Sequence, residues 1–249
     1  QDELQQTYSL NRGFQSFKQP GSSIKPLVIY TPALEEGYDA NSTLTEIDVT
    51  AAKKSTSEKI SKMSGQKMSL RYAVEDSKNG CAYSLYNIIT PKVGLSYIEN
   101  MNFSKIVQQD YTLSSGLGGL HHGTNTVEMA NAYSTLENHG EYRQADCISS
   151  ILDASGNEIY EEPESKTVYT RSASDQMTDI LEGVLNSSAG TAKGLKWSSA
   201  SDVAAAAKTG TTNDNKVAWF CGYTPYYTIS VWVGYDYPKY VKGLWGNTY

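Results

Sequence analysis

Apolar residues recur with a helical period through the first two thirds of the chain. A run over residues 24–34 follows the breaker pair Pro20-Gly21 and stops before Gly37, which predicts a helix that ends at a glycine. Pro32 should kink this helix or end it early, because proline has no amide hydrogen to donate to the preceding turn. Helical spacing recurs over residues 68–93, 126–139 and 176–185.

The last third of the chain changes to a period of two, which is typical of strands. Residues 213–215 are a polar turn signal and Pro225 marks a tight turn, so the strands on either side should be antiparallel neighbours. We predict three such strands, over residues 203–212, 219–224 and 227–235.

Two further segments have their own patterns. Residues 37–66 are rich in Ser, Thr, Lys and Asp, which predicts a surface excursion. Residues 142–159 predict a hairpin that turns at 153–157, where Asp, Ser, Gly and Asn cluster. Helices followed by antiparallel strands together predict an α+β fold, with helices on the faces of a sheet.

The composition narrows the class of protein. The chain has 249 residues, of which 39% are apolar, enough for one large domain or two lobes that share a cleft. No stretch approaches the roughly 18 uninterrupted apolar residues of a membrane-spanning helix, and the polar first residues show no signal peptide. The net charge of −6 argues against nucleic acid and anionic membranes as partners.

The cysteine and histidine positions predict no metal site. The cysteines are widely spaced and match no zinc or redox pattern, so we interpret all three as small core residues: Cys81, Cys147 and Cys221. The histidines also lack the spacing of metal ligands, and the first two are interpreted as loop residues: His121, His122 and His139.

Ser22 and Lys25 are the candidate nucleophile and base. Their spacing places both side chains on one face of a helix, one turn apart. A serine hydroxyl needs an adjacent base, and a lysine amine can serve when burial beside another cation keeps it neutral. Ser64 and Lys67 repeat the spacing, but no apolar helix follows them, so we reject that second pair.

Ser77 and Asn79 are a second candidate element, placed on a predicted helix. A serine hydroxyl there could relay a proton to a leaving nitrogen, and an asparagine amide could hold a substrate carbonyl. The Ser-x-Asn pattern alone is common, and by itself it is more typical of a surface helix or a cap.

Lys208, Thr209, Gly210 and Thr211 form a third element, on a predicted strand of small residues. An extended peptide could pair with such a strand, and the lysine and threonine side chains suit a carboxylate. Gly210 would let the substrate lie flat against the strand. Without the other two elements, this pattern would indicate no more than a strand followed by a turn.

The three elements occur in the order seen in penicillin-binding proteins, and their surroundings resemble the transpeptidase domain of that family. The resemblance covers residues 11–249. It is carried by residues 19–26, 208–216, 218–225 and 231–236, and a likeness to the bifunctional class A group is carried by residues 118–123 and 127–133.

This resemblance implies the serine β-lactamase and penicillin-binding fold, in one partial transpeptidase domain over residues 1–249. An all-helical lobe would cover about residues 37–175, and a sheet lobe would combine residues 11–36 and 176–249. The active site would lie in the cleft between the two lobes.

The implied activity is that of a D,D-transpeptidase acting on peptidoglycan stem peptides and inhibited by β-lactam antibiotics. Ser22 would attack the D-Ala-D-Ala carbonyl, and the acyl-enzyme would pass to an amine on a neighbouring strand. No cofactor, metal or nucleic acid is implied. The implied roles are Lys25 as base; Ser77 and Asn79 as proton relay and as holders of Lys25 and substrate; Lys208, Thr209 and Thr211 as carboxylate binders; and the backbone N–H groups of Ser22 and Thr211 as oxyanion hole.

The chain also departs from the family pattern. The strands that usually open the domain, the closing helix, the glycosyltransferase domain and the membrane anchor are not in this sequence. We therefore expect a fragment of a longer protein that works at the extracytoplasmic face of the bacterial cytoplasmic membrane. Ala207 replaces a glycine that often precedes Lys-Thr-Gly, and Val217 stands where an acidic residue is common.

Three other functions share part of this pattern. A serine β-lactamase uses the same three motifs, and Glu182-x-x-Leu185-Asn186 matches a deacylating motif of one lactamase class. A D,D-carboxypeptidase or β-lactam sensor would form the same acyl-enzyme. A non-catalytic scaffold would bind stem peptides without covalent chemistry.

Overall fold

The computed structural model of the protein describes residues 10–195, 203–212 and 215–247. Within these ranges the fold is α+β, as predicted. The α-helices, in chain order, are α1 (Thr31–Glu35), α2 (Val49–Ala52), α3 (Ser57–Ser61), α4 (Leu70–Glu75), α5 (Asn79–Ile89), α6 (Pro91–Asn100), α7 (Thr126–Glu137) and α8 (Arg171–Asn186). The strands are β1 (Thr43–Glu46), β2 (Gln66–Ser69), β3 (Glu141–Arg143), β4 (Ser165–Thr167), β5 (Ala206–Thr211), β6 (Val217–Tyr223) and β7 (Thr228–Gly234).

A central helical segment passes through the core. It begins as a 3-10 turn at Gly21–Ile24, widens to a π-helical turn at Pro26–Tyr30, and continues as α1 to Glu35. Every residue from 23 to 34 is buried. The segment contacts β5 near its start, α6 in its middle and α8 near its end, so it joins the sheet to the surrounding helices.

Pro32 does not end this helical segment early. The N–H of Thr31 donates to the Pro26 carbonyl, five residues back, so the turn ahead of the proline is wider than an α-helical turn. A π-helical turn changes the hydrogen-bond ladder where the proline cannot donate. The helix then ends at Glu35, before Gly37, as the sequence predicted.

The three predicted strands near the end of the chain form one antiparallel sheet in the order β5-β6-β7. Lys208 is opposite Cys221, and Trp219 is opposite Trp232. Helix α7 packs on β6 and β7, and α8 packs on β5. Of the predicted turn at 213–215, residues 213 and 214 lie outside the described residues. The division into a helical and a sheet lobe stays a prediction, although α7, inside the predicted helical range, contacts the sheet.

The segment over residues 37–66 is more ordered than a surface excursion. Strands β1 and β2 form an antiparallel ribbon in which Glu46 is opposite Gln66, and α2 and α3 lie between them. Leu44 and Ile47 are buried, and β1 contacts α5. The sequence pattern did not reveal these buried positions, because they are few and isolated among polar residues.

The predicted hairpin over residues 142–159 is mostly wrong. Tyr142 lies on β3 and pairs with Lys166 on β4, which is further along the chain. Only a single bridge, Leu152 with Glu158, closes the predicted turn, and Asp153 accepts hydrogen bonds within that turn. Most side chains from 144 to 164 are exposed, so no buried face fixes a longer register.

The cysteines divide by environment. Cys81 and Cys221 are buried, as predicted, but Cys147 is exposed because it lies in the extended arm beyond β3. In the ranges that the structure describes, no helix is both long and apolar enough to cross a membrane.

Candidate active site

The three sequence motifs meet at one cleft. The 3-10 turn that carries Ser22, the turn between α4 and α5, and strand β5 converge around a cavity of about 740 Å³. A second cavity of about 370 Å³ continues past Ser22 toward Lys53. The predicted site residues that line the larger cavity are Ser22, Ser77, Asn79, Thr209 and Thr211.

Lys25 lies beneath this cleft and is fully buried. Its Nζ donates to the Ser77 carbonyl oxygen at 2.8 Å and to Asn79 Oδ1 at 2.7 Å, and it lies 3.5 Å from Ser77 Oγ. Burial, and then the nearby Lys208 charge, hold the pKa of Lys25 well below its usual range. The predicted neutral lysine therefore has a physical cause in the structure.

Lys208 reaches the site through Ser77. Its side chain is fully buried, and Nζ donates to Ser77 Oγ at 2.8 Å and to the Thr209 carbonyl at 3.1 Å. Burial lowers the pKa of Lys208 to about 7, against the opposing effects of Asp76 and Cys221. Lys208 is thus placed to orient Ser77, whereas direct contact with a substrate carboxylate stays a prediction.

Ser77 is not on a helix, which corrects the predicted setting. It lies in the turn between α4 and α5 with a φ of 59°, a left-handed conformation that is rare for a residue with a side chain. This conformation directs the Ser77 carbonyl to Lys25 and its hydroxyl to Lys208. The turn keeps this strained conformation because both lysines hydrogen-bond to Ser77.

Ser22 is half-buried and lines both cavities. Within the described part of the chain, no hydrogen bond joins its hydroxyl to Lys25, whose Nζ is engaged by Ser77 and Asn79. Nucleophile and base are often this loosely placed before a substrate binds. The expected contact between Ser22 Oγ and Lys25 Nζ therefore stays a prediction.

Gly21 brings the 3-10 turn that carries Ser22 against β5. Its φ is 55°, and a Cβ at this position would lie 2.7 Å from the Thr211 carbonyl oxygen. Only glycine tolerates both constraints. The backbone of Ser22 therefore lies next to that of Thr211, as the predicted oxyanion hole requires.

Thr209 and Thr211 line the cleft from the β5 side. The Thr209 hydroxyl lies 2.7 Å from the Thr191 hydroxyl, and Thr211 Oγ1 accepts a hydrogen bond from the Gly246 N–H at 3.3 Å. The segment after α8 thus orients Thr209, and the segment after β7 orients Thr211. Their role as carboxylate binders stays a prediction.

Gly210 has a different neighbour from the one expected. A Cβ at Gly210 would lie 2.4 Å from the Pro20 carbonyl oxygen and 3.0 Å from Ser23. The missing side chain therefore makes room for the 3-10 turn that carries Ser22, which packs against β5. This packing explains the glycine without reference to a substrate.

Two residues at the site had no signal in the sequence. Glu46, on β1, accepts a hydrogen bond from the Gly80 N–H at the start of α5. Thr191, in the segment after α8, contacts Thr209. Both lie in polar stretches without a motif, and only the fold brings Thr191 to the cleft and Glu46 to the start of α5, next to Asn79.

The residues that suggested other functions lie elsewhere. Glu182, on α8, lines a separate cavity of about 250 Å³ with Tyr223 and not the cleft of Ser22. His121 and His122 are exposed, and His139 contacts Asp175. Among the residues with described positions, no group of three or more His, Cys, Asp or Glu residues is arranged to hold a metal ion.

Comparison with known proteins agrees with the family resemblance that the sequence motifs indicated. The family model described as "Penicillin binding protein transpeptidase domain" matches residues 1–241. The chain is 32% identical over 240 residues to Penicillin-binding protein 4 of Bacillus subtilis, a match that covers 96% of this chain and 38% of that protein. It is 29% identical over 269 residues to Penicillin-binding protein 1A of Clostridium botulinum, covering 99% of this chain and 31% of that protein.

A solved structure shows the same fold. PonA1 of Mycobacterium tuberculosis in complex with penicillin V superimposes with a TM-score of 0.78 at 21% identity, covering 98% of this chain and 68% of that chain. The chain spans less than two fifths of the length of the two curated relatives, 38% and 31%. The similarity therefore concerns one domain of those longer proteins.

Proposed function

Because the chain belongs to the penicillin-binding protein transpeptidase family, we propose that it is a serine D,D-transpeptidase that cross-links D-Ala-D-Ala stem peptides of peptidoglycan. The observation that carries this proposal is the environment of Lys25. Its amine is buried between two motifs, near a second buried lysine, and its pKa is held well below the usual range by burial and Lys208. Such an amine is a base for an adjacent serine.

In the proposed acylation step, Ser22 Oγ attacks the carbonyl of the penultimate D-alanine and its proton passes to Lys25 Nζ. The C–N bond to the terminal D-alanine then breaks as the leaving nitrogen takes the Ser77 hydroxyl proton, and Lys25 Nζ, 3.5 Å from Ser77 Oγ, returns the Ser22 proton to Ser77. Lys208, which donates to Ser77 Oγ, keeps that hydroxyl oriented for the transfer. The backbone N–H groups of Ser22 and Thr211 stabilise the oxyanion.

In the second step, an amine from a neighbouring stem peptide attacks the ester carbonyl. The bond from that carbonyl to Ser22 Oγ breaks, the amine loses a proton, and the serine hydroxyl is restored. Thr209 and Thr211 hold the terminal carboxylate of the donor peptide during acylation. Both threonines line the cleft, and their hydroxyls are oriented by Thr191 and the Gly246 N–H.

The same groups would bind a β-lactam, whose carboxylate and strained amide replace the end of the stem peptide. Support comes from PonA1, a protein of similar structure that was solved in complex with penicillin V. Acylation by a β-lactam opens the lactam ring and leaves the antibiotic attached to Ser22. No leaving group departs, so the acyl-enzyme is long-lived.

We also propose the cellular setting. The relatives are penicillin-binding proteins more than twice as long as the matched region. On this basis the domain belongs to a longer class A chain with a glycosyltransferase domain and a membrane anchor. It would work at the extracytoplasmic face of the bacterial cytoplasmic membrane.

Labelled penicillin tests this function against its alternatives. The wild-type protein and the Ser64→Ala control should form a stable covalent label, whereas Ser22→Ala should form none. Rapid release of the label would instead indicate a β-lactamase, and absence of a label in the folded wild type would indicate a scaffold. Incubation with a D-Ala-D-Ala peptide, with and without an acceptor amine, separates transpeptidation from hydrolysis by a carboxypeptidase.

A further inference from the structure

The start of helix α5 is capped from another part of the chain. The residue before the helix, Lys78, makes no side-chain hydrogen bond to the first turn. Glu46 supplies the missing acceptor from β1: its Oε1 accepts from the Gly80 N–H at 3.0 Å, and its Oε2 lies 3.7 Å from Cys81 Sγ. A carboxylate at this end satisfies a free N–H and complements the helix dipole.

The approach of β1 to α5 depends on a glycine. A Cβ at Gly80 would lie 2.3 Å from the Ile47 carbonyl oxygen and 2.8 Å from Glu46 Oε1. Any side chain at this position would therefore push the ribbon away and break the contact. The contact of Glu46 with the helix is thus a consequence of close packing between two elements.

The capped end of α5 carries the groups that hold Lys25. Asn79 is the first residue of α5, and its Oδ1 accepts from Lys25 Nζ. Ser77, two residues earlier, has the strained φ of 59°. A turn under such strain keeps its conformation only where its surroundings fix it, and Glu46 fixes it from the helix side.

Glu46 is also the anion that Lys25 faces. Burial and the Lys208 charge lower the pKa of Lys25, whereas Glu46 and then Cys81 raise it. Burial raises the pKa of the Cys81 thiol to about 12, so the thiol stays neutral and Glu46 supplies the negative charge. The titratable groups that face Glu46 are Lys25, Lys78, Tyr30 and Cys81.

We propose that Glu46 is a positioning residue of this active site. It holds the turn of Ser77 and Asn79 against Lys25, and its negative charge opposes the effects of burial and of Lys208 on the Lys25 amine. The proposal rests on the proposed function for its effect on acylation, but not for its effect on Lys25 itself.

The Glu46→Gln variant separates the charge from the cap. The glutamine oxygen still accepts from the Gly80 N–H, but the negative charge that raises the pKa of Lys25 is gone. Acylation by penicillin requires neutral Lys25, so the acid limb of its pH profile should move to lower pH. Glu46→Gln should therefore acylate faster than wild type on the acid side and within about twofold of it on the plateau, because only protonation differs.

Two further variants complete the test. Glu58→Gln removes an exposed charge from α3 and should leave the pH profile unchanged. Glu46→Ala removes the cap as well as the charge and should slow acylation about tenfold on the plateau, because the turn of Ser77 and Asn79 loses a contact that holds it. If Glu46→Ala is too unstable to test, Glu46→Gln carries the measurement alone.

A direct titration keeps the inference separate from the proposed function. The pH titration of the Lys25 side chain is followed by NMR in wild type and Glu46→Gln, with the signal assigned from its loss in Lys25→Arg. We expect the Lys25 midpoint to fall in Glu46→Gln, whether or not the protein reacts with penicillin. An unchanged Lys25 midpoint overturns the proposal even if acylation is normal, and a protein that never acylates overturns only the proposed function.

Discussion

Two regions of the molecule carry the same pattern, a serine three residues before a lysine, and only one of them lies at the cleft. Ser22 and Lys25 lie on consecutive helical turns, so both are near one surface of the central segment. Ser64 precedes β2 and Lys67 lies within it, opposite Thr45, and both side chains are exposed. No helical turn joins Ser64 to Lys67, so this spacing does not place the second pair on one face.

The contrast shows that the surroundings of the lysine matter more than its spacing from a serine. Lys25 is enclosed by groups from the α4–α5 turn, and its pKa is lowered by burial and by Lys208 on β5. The Lys67 side chain, in contrast, is exposed to solvent. A Ser-x-x-Lys pattern is therefore a candidate catalytic pair only where distant elements desolvate the lysine and hold it.

Replacing the lysine should give the largest difference between the two regions. Lys25→Met removes the proposed base, and the second-order rate of acylation by penicillin should fall by about 10²–10⁴-fold, the usual contribution of general base catalysis. Lys67→Met is the matched control and should acylate at the wild-type rate. Equal rates in Lys25→Met and wild type would show that another group accepts the Ser22 proton.

Replacing the second buried lysine should give the next largest effect. Lys208→Met removes the donor to Ser77 Oγ, and acylation should slow by about 10- to 100-fold, as loss of a charge-assisted hydrogen bond does. Because the Lys208 charge lowers the pKa of Lys25, its removal should also move the acid limb of the pH profile to higher pH. A slower rate with an unmoved limb would mean that the two lysines do not interact.

Adding a side chain at Gly21, where the turn that carries Ser22 contacts β5, should give the smallest effect of the three. Gly21→Ala forces an alanine into a positive φ and places its Cβ against Thr211, whereas Gly37→Ala meets only the first cost, because no atom lies within 4 Å of its Cβ. Urea unfolding should show a loss of about 1–2 kcal/mol for Gly37→Ala and about 1–3 kcal/mol more for Gly21→Ala. Equal losses would contradict the close approach of the turn that carries Ser22 to β5.

The sequence predicted the parts of the fold that repeat a pattern. Helix α8 shows a clear apolar face, and the three strands near the end of the chain alternate with a period of two, so their positions were correct to a few residues. The predicted hairpin failed because residues 144–164 have almost no buried side chain to set a register. The ribbon of β1 and β2 was missed because its buried residues are isolated among polar ones.

The site could be predicted as a set of residues but not as a geometry. Ser22, Lys25, Ser77, Asn79, Thr209 and Thr211 all carry motif signals, and the structure brings them together. The left-handed turn at Ser77 and the cap from Glu46 depend on contacts between segments far apart in the chain. Such contacts have no local pattern, so a single sequence does not contain a signal for them.

The most direct test of the central claim is to map the penicillin adduct by peptide mass spectrometry across a pH series. The adduct should lie on Ser22 and not on Ser64, and its rate of formation should fall as the pH decreases through a midpoint well below 10.5, because protonated Lys25 accepts no proton. An adduct on another serine, or a midpoint near that of an ordinary lysine, would contradict the claim that burial turns Ser22 and Lys25 into a catalytic pair.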